Sequence, residues 1–271
     1  MCRLNQEGIM HTLFSDQARL LVLLVCCAVL WSAESVMPLY LYPTRRLRRA
    51  LPNIALAVLL VLTNLALSFA TASVAGAVNR RLGLFFLFSM PAWLMALSGM
   101  MALDLFTYLA HVLLHKSWLG WQFHRVHHTD NEVNVTTAFR QHPGETLWRI
   151  FWQVLAVGLF GIPLWVVIVY LLVSTLNAQL EHANIRLSEP VDRVLRLLFV
   201  TPHMHKVHHS REQQQTDTNY SNIFSVWDRI FGTYTSTVDF NRLRYGLDGF
   251  DERKRQTLPA LLKLPFSVKA S

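Results

Sequence analysis

Residues 82–128 read LGLFFLFSMPAWLMALSGMMALDLFTYLAHVLLHKSWLGWQFHRVHH, and this stretch decides the fold class. From 82 to 103 it holds no charged residue, so it is as long as the roughly 20 residues a helix needs to cross the hydrocarbon layer. His111, His115, His124, His127 and His128 follow at once, so an apolar span runs directly into a series of imidazoles. Residues 52–79 and 150–180 are also charge-free and of spanning length, and residues 20–37 carry only Glu34 as a charge. With 271 residues, 52% of them hydrophobic, the chain reads as a polytopic membrane protein and not as a soluble globule.

The charge pattern agrees. The formal net charge is +8, but the arginines cluster beside apolar spans, as at Arg45, Arg46, Arg48 and Arg49, with no basic stripe of interleaved aromatics. That pattern fits membrane topology and attraction to anionic lipid, and it argues against nucleic acid as a partner. Cys2, Cys26 and Cys27 lack CxxC spacing and imply neither a disulfide framework nor a thiolate metal site. Residues 1–33 could be a cleaved signal, since Arg3 precedes an apolar run ending near Ser32 and Ala33. The length of the run and the spans that follow favour a first membrane helix. Four arginines at 45–49 outweigh Arg80 and Arg81, which places everything from Asp104 onward on the cytoplasmic face. The expected setting is a bacterial inner membrane.

Within residues 148–181, Gly161-Ile162-Pro163 interrupts the apolar run and reads as the turn of a helical hairpin. Its arms of about 14 to 17 residues are near 21 to 25 Å long at about 1.5 Å per residue. A hairpin returns the chain to the side it left. The expected organisation is an N-terminal transmembrane region, 1–103, a catalytic domain, 104–235, that includes the hairpin 148–181, and a C-terminal cytoplasmic tail, 236–271. The apolar patch at 194–200 suits the membrane interface, residues 211–218 read as a loop, and residues 223–234 as a short aromatic element. The fold class is therefore all-α: a membrane helical bundle of about three spans plus a hairpin, capped by a cytoplasmic helical domain.

Of twelve histidines, only His11 lies outside residues 111–209. His111 and His115 stand i and i+4, on one helix face that Asp104 and Tyr108 continue. His124, His127 and His128 form HxxHH, and His205, His208 and His209 repeat it. In a helix the last two rings of such a triplet diverge by about 100°, so one triplet can offer ligands to two metals. Thr201 and Pro202 give the second triplet a helix start. His142 and His182 flank the hairpin. Six imidazoles at matched spacing beside a span have no packing purpose and point to metal. Ten candidates exceed the ligands one ion takes, which favours two metals. His203 falls outside the HxxHH frame, His11 is remote, and the protease signature HExxH is absent.

This ordered series resembles the histidine boxes of the fatty acid hydroxylase/sterol desaturase superfamily. The flanks resemble it too: Asp104 and Tyr108 before His111, Phe139-Arg-Gln-His-Pro143, Glu181-His-Ala-Asn184, Thr201-Pro202, Asn219-Tyr220 and Trp227-Asp228-Arg229. The likeness covers residues 100 to 235. It implies a non-haem di-iron centre surrounded by His111, His115, His124, His127, His128, His142, His182, His205, His208 and His209, with O2 as co-substrate and a lipid C–H bond hydroxylated or desaturated. No second histidine follows His182 at helical spacing, which leaves its metal open to water or to His142. Asp104, Tyr108, Glu181 and Asn184 are the expected catalytic-site residues. Glu145 and Asp217 join Asp104, Glu181 and Asn184 as groups that would orient imidazoles.

Trp118, Trp121, Trp148 and Trp152 bracket the site as an interfacial belt, beside which a lipid substrate could enter from the bilayer. No GxGxxG or P-loop follows a strand pattern, so electrons would come from a separate ferredoxin-like or cytochrome b5-like protein. Two rivals remain open: a bis-histidine haem protein of electron transfer, and a membrane metal-binding protein without oxygenase chemistry.

Overall fold

The computed structural model describes residues 16–42, 46–78, 83–235, 240 and 242–267. Among these, helices and isolated bridges are the regular structure, with no strands. The principal helices are α1 (Asp16–Val36), α2 (Arg46–Val78), α3 (Ala92–Lys116), α4 (Trp118–His128), α5 (Pro143–Phe160) and α6 (Leu164–His182). Shorter ones follow: α7 (Glu189–Leu195), α8 (Pro202–His208), α9 (Gln213–Thr216), α10 (Val226–Ile230) and α11 (Leu258–Lys263).

Four of these, α1, α2, α3 and α6, are long and apolar enough to cross a membrane. Their outer faces expose large apolar side chains such as Leu21, Leu65 and Phe69, as lipid-facing helices do. The third span begins later than residue 84. Leu84–Leu87 form one 3-10 turn, and the helix starts only after Pro91, because a proline disfavours helix in the residue before it. It then runs on past residue 103 to Lys116, so the apolar span, His111 and His115 are one rod.

The hairpin forms at the expected turn. Gly161 closes α5 in the left-handed region (φ 73°), where a side chain would be strained, and Pro163 precedes α6. Its arms are 18 and 19 residues. They exceed the expected length because α5 starts at Pro143, with a polar first turn that buries Glu145 and Thr146. Leu103, Val157, Ile162, Val166 and Tyr170 form the core between α3, α5 and α6. Gly99 lets α3 approach α6: a Cβ there would lie 2.8 Å from Val166 Cγ1.

Glu34 explains its own presence in an apolar helix. Its Oε1 accepts from the Val135 N–H (2.7 Å) and the Asn184 N–H (2.8 Å), and its Oε2 from Arg46 (2.6 Å). These bonds, with Leu30 packed on Val135, Ala183 and Ile185, build α1 into the fold.

The reading of residues 211–218 as a loop needs correction, since Gln213–Thr216 form a helical turn. Residues 242–267 are not a free tail: Leu261 and Leu264 pack on Leu56 of α2 and Val126 of α4, and Arg125 donates to the Leu264 carbonyl at 2.7 Å. Its leucines at 258, 261, 262 and 264 supply the apolar face that holds it. The stretch 211–218 contains the single turn α9, and residues 223–234 are the short helix α10 with its flanks. Val194, Leu197 and Leu198 remain exposed, in keeping with an interfacial patch.

Candidate metal centre

Ser117 ends α3, and its side chain accepts from the Gly120 N–H to start α4, so the chain turns just after His115 and brings α4 back alongside. Thr201 caps α8 by accepting from the Met204 N–H, with Pro202 in the first turn. These two caps, with the end of α6, bring nine imidazoles into two groups. His111, His115, His124, His128 and His208 form the first; His127, His182, His205 and His209 form the second. The two triplets are crossed. On α4 the i, i+4 pair serves the first group and His127 the second; on α8 the pair His205 and His209 serves the second group and His208 the first.

The nitrogens within a group are close. His111 Nε2 and His128 Nε2 lie 3.1 and 3.2 Å from His124 Nε2. His127, His205 and His209 each place Nε2 at 3.0 Å from His182 Nε2. These contacts are not ordinary hydrogen bonds. The Nδ1 atoms of His111, His127, His182 and His208 face the carbonyls of Tyr220 (2.7 Å), Arg140 (3.2 Å), Ala178 (2.7 Å) and Thr218 (2.8 Å). A carbonyl only accepts, so each Nδ1 carries the proton and each Nε2 presents a bare lone pair. Lone pairs turned on one another repel unless a cation lies among them. Nitrogens at about 2.1 Å from one ion and at right angles are about 3.0 Å apart. His115 Nε2 and His208 Nε2 are buried without a hydrogen-bond partner among the described residues. The donor set therefore fits two ions held by neutral imidazole. Burial, and then the neighbouring imidazoles, hold His124, His127, His128, His205, His208 and His209 below the ordinary imidazole range. Neutral is the form that ligates.

Carboxylates lie beside two of the remaining Nδ1 atoms. Glu145 Oε1 lies 3.0 Å from His124 Nδ1, and Arg149 fixes that carboxylate at 2.8 Å. Asp217 lies 3.5 Å from His115 Nδ1 and accepts from Lys116 at 2.8 Å. Burial alone would raise Asp217, but its bonds to His115 and Lys116 hold it well below the usual carboxylate range.

A family model described as fatty acid hydroxylase matches residues 96–233. The chain belongs to the fatty acid hydroxylase family. Its relatives are lipid hydroxylases and monooxygenases. It is 30% identical over 172 residues to the ornithine lipid hydroxylase OlsE of Rhizobium tropici, over 63% of this chain and 50% of that protein. It is 33% identical over 154 residues to the alkylglycerol monooxygenase of Homo sapiens, covering 55% of this chain and 32% of the relative. With methylsterol monooxygenase 2-2 of Arabidopsis thaliana it shares 29% identity over 163 residues, 58% of this chain and 59% of the relative. The chain thus spans half or less of the first two relatives. No solved structure matches it.

In this member of the family several flanking residues act at a distance from the nitrogens. Asp104 accepts from the backbone N–H of Ile223 (3.2 Å) and Phe224 (3.0 Å) and from Trp227 Nε1 (2.9 Å). It thereby clamps the segment that carries the Tyr220 carbonyl. Asp228 caps the N–H groups of Tyr220 (2.8 Å) and Ser221 (3.0 Å). Tyr108 bonds Thr233 at 2.9 Å and stacks on Phe231. Asn184 pairs with the backbone of Tyr40. Of the four expected catalytic-site residues only Glu181 adjoins a group, with Oε1 at 3.8 Å from His205 Nε2 and 3.7 Å from His182 Nδ1.

His142 does not join either group. Its Nδ1 accepts from the Gly144 N–H as the cap of α5, and its ring packs tilted against Phe123 and edge-on to Phe266. The second group thus gathers four imidazoles without it. His203 lies with Asp192 at 3.6 Å, outside the two groups. Sequence reasoning missed Arg149 and the four carbonyls. Backbone atoms leave no side-chain signal, and Arg149 would have shown only as the i+4 partner of Glu145. Of the tryptophans, Trp118 is exposed, whereas Trp121 packs on His115 and His128, and Trp148 donates to the Ala110 carbonyl.

Proposed function

We propose that this chain is an integral-membrane non-haem di-iron oxygenase that hydroxylates or desaturates a lipid C–H bond with O2 and external electrons. The observation that carries the reading is the crossed pair of triplets, which gathers imidazoles from both α4 and α8 into each of two groups that could each hold an ion. His111, His115, His124, His128 and His208 would hold one iron and His127, His182, His205 and His209 the other. Iron bound there supplies the redox chemistry that activates dioxygen; imidazole-only ligation leaves its positive charge uncancelled.

The protein's own part is orientation and exclusion. The carbonyls of Tyr220, Arg140, Ala178 and Thr218 fix the tautomers, Glu145 and Asp217 steady His124 and His115, and burial keeps bulk water from the ligands. Hydroxylation balances as R–H plus O2, two electrons and two protons giving R–OH and water. Desaturation removes two hydrogens and forms two waters from the same inputs. The electrons come from a separate donor protein of ferredoxin or cytochrome b5 type.

A cavity of about 160 Å³ between α2, α3, α5 and α6 supports entry of the lipid from within the bundle. It is lined by Ala110, which precedes His111, by Ala178, whose carbonyl holds His182, and by Arg149 and Leu171. Nitrogens 3.0 Å apart leave no room for a porphyrin between them, which disfavours the haem reading. The site sits on the cytoplasmic side in this proposal, by the arginine count at 45–49.

Metal analysis of the purified protein tests the reading, with about two irons per chain and no haem band expected. His127→Ala and His208→Ala should each abolish lipid oxidation in membranes while the protein still inserts. Activity retained by both, or a single zinc in the wild type, would overturn it.

A further inference from the structure

A second and larger cleft of about 680 Å³ opens where α2 enters its apolar run. Its charged lining is Arg48, Arg49, Arg140 and Arg253 against Asp130 and Asp251. Most of these groups are already engaged. Arg140 donates to the Val126 carbonyl, Asn53, Thr129 and Gln256. Asp130 accepts from Asn53 and Thr137, Arg49 is tied to Glu132 and Asn131, and Asp251 to Arg211. Arg48 and Arg253 are different: both line the cleft, and neither has a hydrogen-bond or ion-pair partner among the described residues. The internal pairs cancel, and two uncommitted cations remain.

The rest of the lining is apolar: Leu51, Pro52, Ala55 and Leu258. Arginine and hydrocarbon meet here for a reason of position. After Arg49, α2 holds no charge through Val78, so its arginines mark where a spanning helix leaves the hydrocarbon for the headgroup layer. A ligand at that level that satisfies two cations and lies against an apolar wall is charged at one end and aliphatic at the other.

We propose that this cleft binds the phosphate headgroup of an anionic membrane lipid, with Arg48 and Arg253 on the phosphate and Leu51, Pro52 and Leu258 against the start of its chains. The site is independent of the metal reading and needs neither ion nor turnover.

The test uses the full chain in a neutral detergent and follows its thermal melting during titration with phosphatidylglycerol, phosphatidylcholine or inorganic phosphate. Phosphatidylglycerol should raise the melting temperature saturably, whereas phosphatidylcholine should not. In Arg48→Gln/Arg253→Gln the midpoint of that titration should weaken by tenfold or more. In Arg193→Gln/Lys263→Gln, which removes two exposed charges outside the cleft, it should not move. Both cleft arginines are exposed, so melting without lipid should be unchanged in their variant. An equal loss in the two double variants would reduce the effect to diffuse charge and overturn the site. A response to inorganic phosphate as large as that to phosphatidylglycerol would overturn the lipid assignment, and stabilisation by phosphatidylcholine to the same degree would overturn the requirement for net negative charge.

Discussion

At His124 three roles meet in one ring: Nε2 faces His111 and His128, Nδ1 faces Glu145, and the ring is wholly buried. A carboxylate on the remote nitrogen fixes the ring and raises its basicity as a ligand, and losing such a partner typically costs about 10–100-fold in metal affinity. Glu145→Ala should therefore weaken iron retention about 10–100-fold in competition with a chelator, and Glu145→Gln, which keeps an accepting oxygen, should recover part of it. A merely structural role would lower stability in both and leave the chelation curve in place. The same burial sets a pH dependence. The folded-state pKa values of six buried histidines of the two groups, all outside the spans, lie below the unfolded value, which is about 6.5. As pH falls through that value the unfolded chain takes up protons that the folded one refuses, so stability is full above it and lost below it. Metal-free protein should melt at lower temperature at pH 5.5 than at pH 7.5; an unchanged or higher melting point would count against neutral burial of these rings.

The elements deliver these side chains by a few close approaches. α3 must lie against α6 for His111 and His115 to meet the ligands that α4 and α8 supply, and Gly99 is where the two rods touch. In Gly99→Val the added carbon would collide with Val166 and Ile162. Overpacking of this kind costs about 1–3 kcal/mol, and it should lower both the melting temperature and the iron content, whereas Gly76→Val, with open space around its Cβ, should change neither. The segment between α9 and α10 works the other way, as a strap. Asn219 adopts a left-handed φ of 55° and bonds the Met204 and Thr235 carbonyls; with Asp228 and Asp104 it sets the Thr218 and Tyr220 carbonyls against two ligand rings. Asn219, Trp227 and Asp228 of these signatures thus hold the backbone that presents the two carbonyls, whereas Arg229 donates to the Arg196 carbonyl.

Across the whole molecule, the C-terminal segment closes the end of the bundle nearest α4. Removing residues 252–271 would uncover Leu56 and Val126 and leave Arg125 and Arg140 without the Leu264 carbonyl and Gln256. Each buried donor left unpaired costs about 1–3 kcal/mol. The truncated chain should still insert, resisting extraction at high pH, but should melt several degrees lower and retain less iron. Wild-type melting and metal content in the truncation would show that the segment is dispensable.

The spans, the hairpin turn at Gly161, the start of α8 at Thr201 and the histidine-rich character of the site were all legible in the sequence. Each depends on local chemistry: runs without charge, turn and cap residues, and imidazoles at helical spacing. The tertiary structure alone decided how the imidazoles divide. His127 and His208 leave their own triplets for opposite groups, and His142 stays out because a local bond to the Gly144 N–H and two aromatic rings claim it. It also showed that Asp104, Tyr108 and Asn184 bond to distant segments of the chain and that residues 242–267 pack on α2 and α4. Those roles depend on contacts between segments far apart in the chain, and on backbone carbonyls that every residue carries alike.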